Sequence, residues 1–187
     1  IMERATTQMN YMTKLYDKII VSGDIADNYS YGSYNAVKAI VADKSINGSV
    51  LMTTGNHEFY EETNGDIKGM PDNFTVSEKY GLIEQSWSNN PKYYAEIVKT
   101  STGEDNAMII LLDNGNGEYP VGTASKLQAS IDEAKQKNIP VLIFQHIPMA
   151  TYNETETKVY KPNITDLGFG TADNNAGSTN MNSLTKE

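Results

Sequence analysis

Three short segments of this 187-residue chain carry residue types that take part in metal or acid–base chemistry: SGDIAD at 22–27, TGNHE at 54–58 and QHIP at 145–148. Each segment follows or ends a short apolar run typical of a buried strand. The chain has only two histidines, His57 and His146, and both lie in these segments, where a strand is predicted to end. Because ligands bind open α/β sheets at the carboxyl ends of the strands, the three segments are candidates for a functional site.

Strands and helices alternate around these segments, which predicts an α/β domain. Apolar residues at helical spacing indicate helices, and short apolar runs bounded by turn residues indicate buried strands. The predicted helices lie at 3–16, around 36–41, near 76–85 and at 124–138, and the predicted strands at 18–24, 50–54, 93–100, 107–113 and 139–146. The strand–helix–strand order over 18–54 favours parallel pairing with a right-handed crossover. The strand at 93–100 is expected to be antiparallel and nearer an edge.

Four of the predicted strands have polar residues at or just after their carboxyl ends. Asp24, Asp113 and His146 are the last residues of three of them, and Asn56 follows a fourth, with His57 directly after it. The carboxyl ends of parallel strands lie along one edge of a sheet. The sequence therefore predicts that these side chains converge, and this is its strongest functional signal.

In this order, SGDIAD, TGNHE and QHIP resemble the motifs of the calcineurin-like metallophosphoesterase family, over roughly residues 18–150. LLDNG at 111–115 also looks like a later region of that family. The resemblance implies a mostly parallel core sheet flanked by helices, as part of a four-layer α/β/β/α sandwich, and hydrolysis of a phosphomonoester or phosphodiester. We place the metallophosphoesterase-like domain at 1–169 and expect 170–187 to be a polar tail, loop or disordered.

The resemblance also implies a role for each of five residues. Asp24, Asn56 and His146 are the predicted metal ligands, since carboxylate, amide and imidazole groups suit Mn, Fe, Zn or Ni. The intact family site holds two such ions, which clamp the phosphoryl oxygens of an in-line displacement. By resemblance, His57 is the acid that protonates the leaving oxygen, and Asp27 orients its imidazole.

Each of these residues, taken alone, also has a structural interpretation. An aspartate at a strand end is more often a cap or turn former than a ligand, and a histidine after an apolar strand is more often a buried, hydrogen-bonded side chain. Glu58 is expected to hold loop amides, and Asp113 to brace a loop rather than to bind metal. The agreement of several signals in order and position favours the metal site.

Two motifs of the family are missing from the sequence. No Asp-x-His precedes residue 18 and no Gly-His-x-His follows His146, so the chain carries about half of a dinuclear site. We expect a central segment of a longer enzyme, inactive or weak by itself. The alternative is a protein that has lost those ligands and works as a binding or structural module, including a secreted surface protein.

Composition narrows the range of partners. The net charge of −9 argues against binding duplex nucleic acid, which needs a basic surface. The expected partner, a small-molecule or nucleotide phosphoester, is implied by the family resemblance. The absence of cysteine excludes disulfides and thiolate metal sites. No apolar run approaches the roughly 18 residues that predict a membrane span.

Overall fold

The first sheet is a parallel pair formed on either side of a crossover helix. The computed structural model describes residues 2–26, 29–42, 48–59, 74–147, 149–152, 159–160 and 179–180. Helix α1 (Met2–Met12) precedes strand β1 (Ile19–Ser22), and helix α2 (Tyr31–Val41) leads to strand β2 (Val50–Thr53). β1 and β2 pair in parallel, with Ile19 opposite Val50. This confirms the predicted strand–helix–strand unit.

The second sheet has three strands. Helix α3 (Val76–Ser86) precedes strand β3 (Tyr93–Lys99) and strand β4 (Asp105–Leu112), and helix α4 (Thr123–Lys137) joins β4 to strand β5 (Val141–Phe144). The order is β3-β4-β5, in which β3 is antiparallel to β4 and β5 is parallel to it. The prediction of an antiparallel strand at the edge is confirmed.

Local sequence explains the start of α3 and the end of α4. A capping box starts α3, because the Thr75 side chain accepts from the Glu78 amide while the Glu78 side chain accepts from the Thr75 amide. Asn138, in the left-handed conformation, ends α4. The predicted extension of the first helix to residue 16 is wrong: α1 ends at Met12, and Leu15 is 57% exposed instead of packing on the core.

Three apolar clusters define the layers. On one side of the first sheet, Val50 and Met52 pack with residues of the helices, including Met9, Val37 and Ile83. On the outer side of the second sheet, Met108 and Ile110 pack with Leu127 and Ala134 of α4. Between the two sheets, Leu51 of β2 packs with Ile109 and Leu111 of β4. Side chains alternate across a strand, so each of these two sheets makes apolar contacts on both faces, and the predicted α/β class with helix-flanked sheets is confirmed.

A third, small sheet follows along the chain. It is formed by strands β6 (Met149–Tyr152), β7 (Val159–Tyr160) and β8 (Thr179–Asn180), in the order β7-β6-β8. Apart from β8, the predicted tail at 170–187 lies outside the described residues, as do Asp27 and most of the long polar segment after β2. Among the helices described, none has the length and apolar character needed to cross a membrane.

Candidate metal centre

A tight turn after β1 presents Asp24. Gly23 and Asp24 both have positive φ, at 85° and 54°, so the chain reverses within two residues of the strand end. A Cβ on Gly23 would lie 2.6 Å from Nδ1 of His146, and one on Gly55 would overlap the Asp24 side chain. Glycine is therefore required at both positions, because it lets the loops after β1, β2 and β5 come into contact.

Glu58 ties the first two of these loops together. Its carboxylate is buried and accepts hydrogen bonds from three backbone amides: Asp24 at 3.0 Å, Ala26 at 2.9 Å and Gly55 at 2.6 Å. Burial raises the pKa of Glu58, while the amide hydrogen bonds act in the opposite direction. Its position agrees with the expectation that this residue holds loop amides.

His146 follows β5, and one of its ring nitrogens lies close to two side-chain oxygens. Its Nδ1 lies 2.6 Å from the carbonyl oxygen of Ser22, which can only accept, so Nδ1 carries a proton. Its Nε2 lies 3.2 Å from Oδ2 of Asp24 and 3.1 Å from Oδ1 of Asn56. The structure thus brings Asp24, Asn56 and His146 together at the strand ends. Asp24 and Asn56 follow strands of the first sheet and His146 follows a strand of the second, whereas the sequence predicted convergence along the edge of one sheet.

This arrangement fits a bound cation. With Nδ1 protonated, the neutral ring of His146 has a lone pair at Nε2, and that lone pair faces the lone pairs of two oxygens. A metal ion bound among these three atoms would offset the repulsion between their lone pairs. Metal-binding histidines commonly donate their second ring N–H to a backbone carbonyl, as Nδ1 does here. The side chains of Asp24 and His146 are 35% and 22% exposed, so an ion can reach them.

His57 lies beside these three residues. Its backbone amide donates to Oδ1 of Asp24 at 3.1 Å, which leaves Oδ2 of that carboxylate to face His146. The His57 ring is 41% exposed, and its Nε2 is 3.9 Å from Oδ2 of Asp24. An accessible imidazole next to the cluster can reach a bound molecule. Asp27, its predicted partner, lies outside the described residues.

A family model agrees with this geometry. The model of the calcineurin-like phosphoesterases matches residues 7–168, which is most of the chain. The chain belongs to this family. Calcineurin-like phosphoesterases are metal-dependent hydrolases of phosphoesters and generally use divalent metal ions. The comparison with curated proteins gives no match.

In this calcineurin-like phosphoesterase domain, Asp113 forms buried hydrogen bonds that support the loop after β2. It follows β4, is fully buried, and accepts hydrogen bonds from the Thr54 hydroxyl, the Tyr80 hydroxyl at 2.5 Å and the Gly115 amide. Burial raises its pKa to about 6, and burial together with the negative charge of Asp113 raises the pKa of Tyr80. The contacts fit the expected brace, which links the loop after β2 to β4.

The described part of the domain holds a sparse set of metal-binding groups. No group of three or more His, Cys, Asp or Glu side chains that could hold a metal is found among the described residues. The centre offers two such side chains, Asp24 and His146, together with the amide of Asn56. Sequence reasoning missed the Ser22 carbonyl and the side chains of Asn114 and Gln145, which hold the loop of His146. The contacts of the Ser22 carbonyl and of Asn114 join residues far apart in the sequence, so they leave no spacing signal.

Proposed function

We propose that this chain hydrolyses a phosphomonoester or phosphodiester at a centre where Asp24, Asn56 and His146 hold a divalent cation, Mn, Fe, Zn or Ni. The observation that carries the proposal is the contact of Nε2 of His146 with Oδ2 of Asp24 and Oδ1 of Asn56, at 3.2 Å and 3.1 Å. Three ligand atoms of the types that suit these metals meet there, from three different strand ends.

When bound, the cation supplies positive charge that polarises a phosphoryl oxygen. Water attacks phosphorus as the bond to the leaving oxygen breaks, and the protein's own groups orient the metal ligands and supply a proton. The Ser22 carbonyl fixes the ring orientation of His146, and the His57 amide fixes the carboxylate of Asp24. The exposed imidazole of His57 gives a proton to the leaving oxygen, and we assign to Asp27 the role of orienting that imidazole.

The chain supplies ligands for about half of a dinuclear site. It contains two histidines in total, and one of them is assigned to the acid role, which leaves His146 as the single imidazole ligand. A centre with one carboxylate, one amide and one imidazole holds one ion, with less affinity than the complete set of a two-ion site would give. We therefore expect one equivalent of metal per chain and weak hydrolysis.

A second candidate is a binding or structural module that has lost catalysis. The sparse set of metal-binding side chains among the described residues favours it. The two candidates differ in two measurable properties, because the module needs neither metal binding nor turnover.

The test combines metal binding with turnover. Purified chain is titrated with Mn²⁺, and loss of the free Mn²⁺ electron paramagnetic resonance signal gives the affinity. Hydrolysis of p-nitrophenyl phosphate and bis(p-nitrophenyl) phosphate is then followed with Mn²⁺. The variant Asp24→Asn keeps a residue type that tolerates positive φ but removes the charge, and should lose both metal binding and activity. Asp132→Asn, an exposed aspartate on α4, is the matched control. No Mn²⁺ binding and no hydrolysis by the parent chain would support the module instead.

The role of His57 has its own test. Replacing it with glutamine should slow hydrolysis of an alkyl phosphoester by about 100-fold, the lower range for loss of a general acid. The loss should be much smaller with p-nitrophenyl phosphate, whose leaving group needs no proton. Equal losses on both substrates would rule out the acid role, and Mn²⁺ affinity serves as the control for an intact centre.

A further inference from the structure

We propose that Asn114 is a positioning residue for His146, and that it sets the metal affinity of the centre without touching the metal. The inference rests on the proposed function, since it assumes that His146 is a ligand. Asn114, in the loop after β4, would thus help to hold His146, the proposed ligand in the loop after β5.

The side chain of Asn114 is fully buried and grips the backbone of the residue after His146. Its Nδ2 donates to the carbonyl oxygen of Ile147 at 2.6 Å, and its Oδ1 accepts from the amide of Ile147 at 3.1 Å. An amide side chain that pairs with both groups of one residue reproduces the pairing of a neighbouring strand. Strand pairing of β5 ends at Phe144, so at Ile147 this side chain holds the chain where the sheet no longer does.

The residue before His146 is held as well. The Tyr119 hydroxyl donates to Oε1 of Gln145 at 2.8 Å, and Nε2 of Gln145 donates to the Ile147 carbonyl at 3.0 Å. Tyr119 is buried in the cluster that α4 and β4 share. Side chains fixed in the core thus hold the residues before and after His146. Rotation about its side-chain bonds is then the main motion left to His146.

A rigid backbone at this position matters because the ring must meet three partners at once. Nδ1 contacts the Ser22 carbonyl while Nε2 contacts Asp24 and Asn56, all within 3.2 Å. A shift of the backbone by a fraction of an ångström breaks one of these contacts. Groups that orient a metal ligand from behind typically change metal affinity by about 10- to 100-fold when removed.

The chain contains a matched control for this argument. Asn89 is also buried and makes the same paired contact with a backbone, accepting from the Met52 amide at 2.9 Å and donating to the Met52 carbonyl at 2.8 Å. It holds β2 in the interior of the strand and does not adjoin a proposed ligand. Alanine at either position removes one clamp of the same kind, so the two variants should lose similar stability.

The experiment measures Mn²⁺ affinity and stability of the 187-residue chain and its variants. Asn114→Ala should weaken Mn²⁺ binding by about 10- to 100-fold, whereas Asn89→Ala should change it by less than about twofold, as expected for a distant site. Tyr119→Phe, which keeps the ring in the core, should give a smaller loss, about threefold, with little unfolding. Urea denaturation of each variant without metal confirms that it is folded under the binding conditions.

The outcomes separate the two proposals. If the parent chain binds Mn²⁺ and both Asn114→Ala and Tyr119→Phe bind it equally well, Asn114 is a structural residue alone and the proposed metal site stands. If Asn114→Ala and Asn89→Ala lose affinity to the same degree, the loss reflects general destabilisation and the positioning role is wrong. If the parent chain binds no Mn²⁺, the proposed function fails and this inference fails with it.

Discussion

Asp113 is a carboxylate that the fold removes from water on every side. It has no exposed surface, and its pKa is raised by burial to about 6 from an ordinary 3.8. The folded protein therefore keeps a proton that the unfolded chain releases near pH 4. The stabilisation is fully present below pH 4 and is lost as the pH rises through 6, a change of roughly 3 kcal/mol in the free energy of unfolding.

The substitution Asp113→Asn isolates this effect. The amide does not titrate, so the difference in unfolding free energy between the parent and the variant should move in the variant's favour by roughly 3 kcal/mol between pH 4 and pH 7. Urea denaturation across this range measures the difference, and other titrating groups such as Glu58 cancel because both proteins contain them. A difference that is constant with pH would show that Asp113 is already ionised at pH 4.

For single residues, the sequence indicated which ones have a role better than it indicated which partners they contact. Glu58 and Asp113 were expected to hold loops, and both do, because a carboxylate beside a glycine turn has amides within reach. Asn114 carried no such signal. Its partner Ile147 is 33 residues away, and this pairing depends on how β4 and β5 lie side by side.

Among the elements, the turns after β1 and β2 depend on Glu58. Replacing it with alanine leaves the amides of Asp24, Ala26 and Gly55 without their acceptor, at a cost of about 1–3 kcal/mol for each amide that water does not reach. We expect Glu58→Ala to lose at least about 3 kcal/mol of unfolding free energy, and Glu58→Gln, which keeps one acceptor oxygen, to lose less. Urea denaturation compares them. Equal stability of Glu58→Ala and the parent would show that Glu58 does not hold these two turns together.

The β1 turn has a second test with a matched control. Gly23 and Gly103 have nearly the same positive φ, 85° and 88°, but a Cβ on Gly23 would lie 2.6 Å from His146, whereas one on Gly103 meets nothing within 4 Å. Gly103→Ala should therefore cost about 1–2 kcal/mol for the backbone conformation and leave Mn²⁺ binding unchanged. Gly23→Ala should cost more and abolish Mn²⁺ binding, since His146 must move. Equal Mn²⁺ affinities in both variants would disprove the close-approach requirement.

Element types were predicted well and boundaries less well, for physical reasons. The strongly apolar run of β4 and the long periodic pattern of α4 left little choice of structure. The first helix was predicted too long because Leu15 continues the spacing of Met9 and Met12, whereas the helix ends at Met12 and Leu15 is exposed. Periodicity records which residues are apolar, and only tertiary packing decides which of them are buried.

For the whole molecule, the packing of two sheets could not be derived from periodicity. Leu51 and Ile109 face each other between the sheets, but each looks like a residue of any buried strand. The expectation of a layered sandwich came from the resemblance of the motifs to a family. The convergence of the strand ends follows from this packing, since Asp24 and Asn56 belong to the first sheet and His146 to the second.

Metal binding and global folding should therefore be coupled. A cation held by ligands from both sheets binds only when the sheets are packed together, so Mn²⁺ at 100 times its dissociation constant should raise the unfolding free energy by about 2.7 kcal/mol. Trp87, the chain's single tryptophan, is buried on the outer side of the first sheet and reports unfolding by fluorescence, while circular dichroism reports on all elements. We expect both signals to shift to higher urea by the same amount with Mn²⁺, and Asp24→Asn to show no shift. If Mn²⁺ moved the tryptophan signal alone, the ion would be bound by the first sheet without His146, and the shared centre would be wrong.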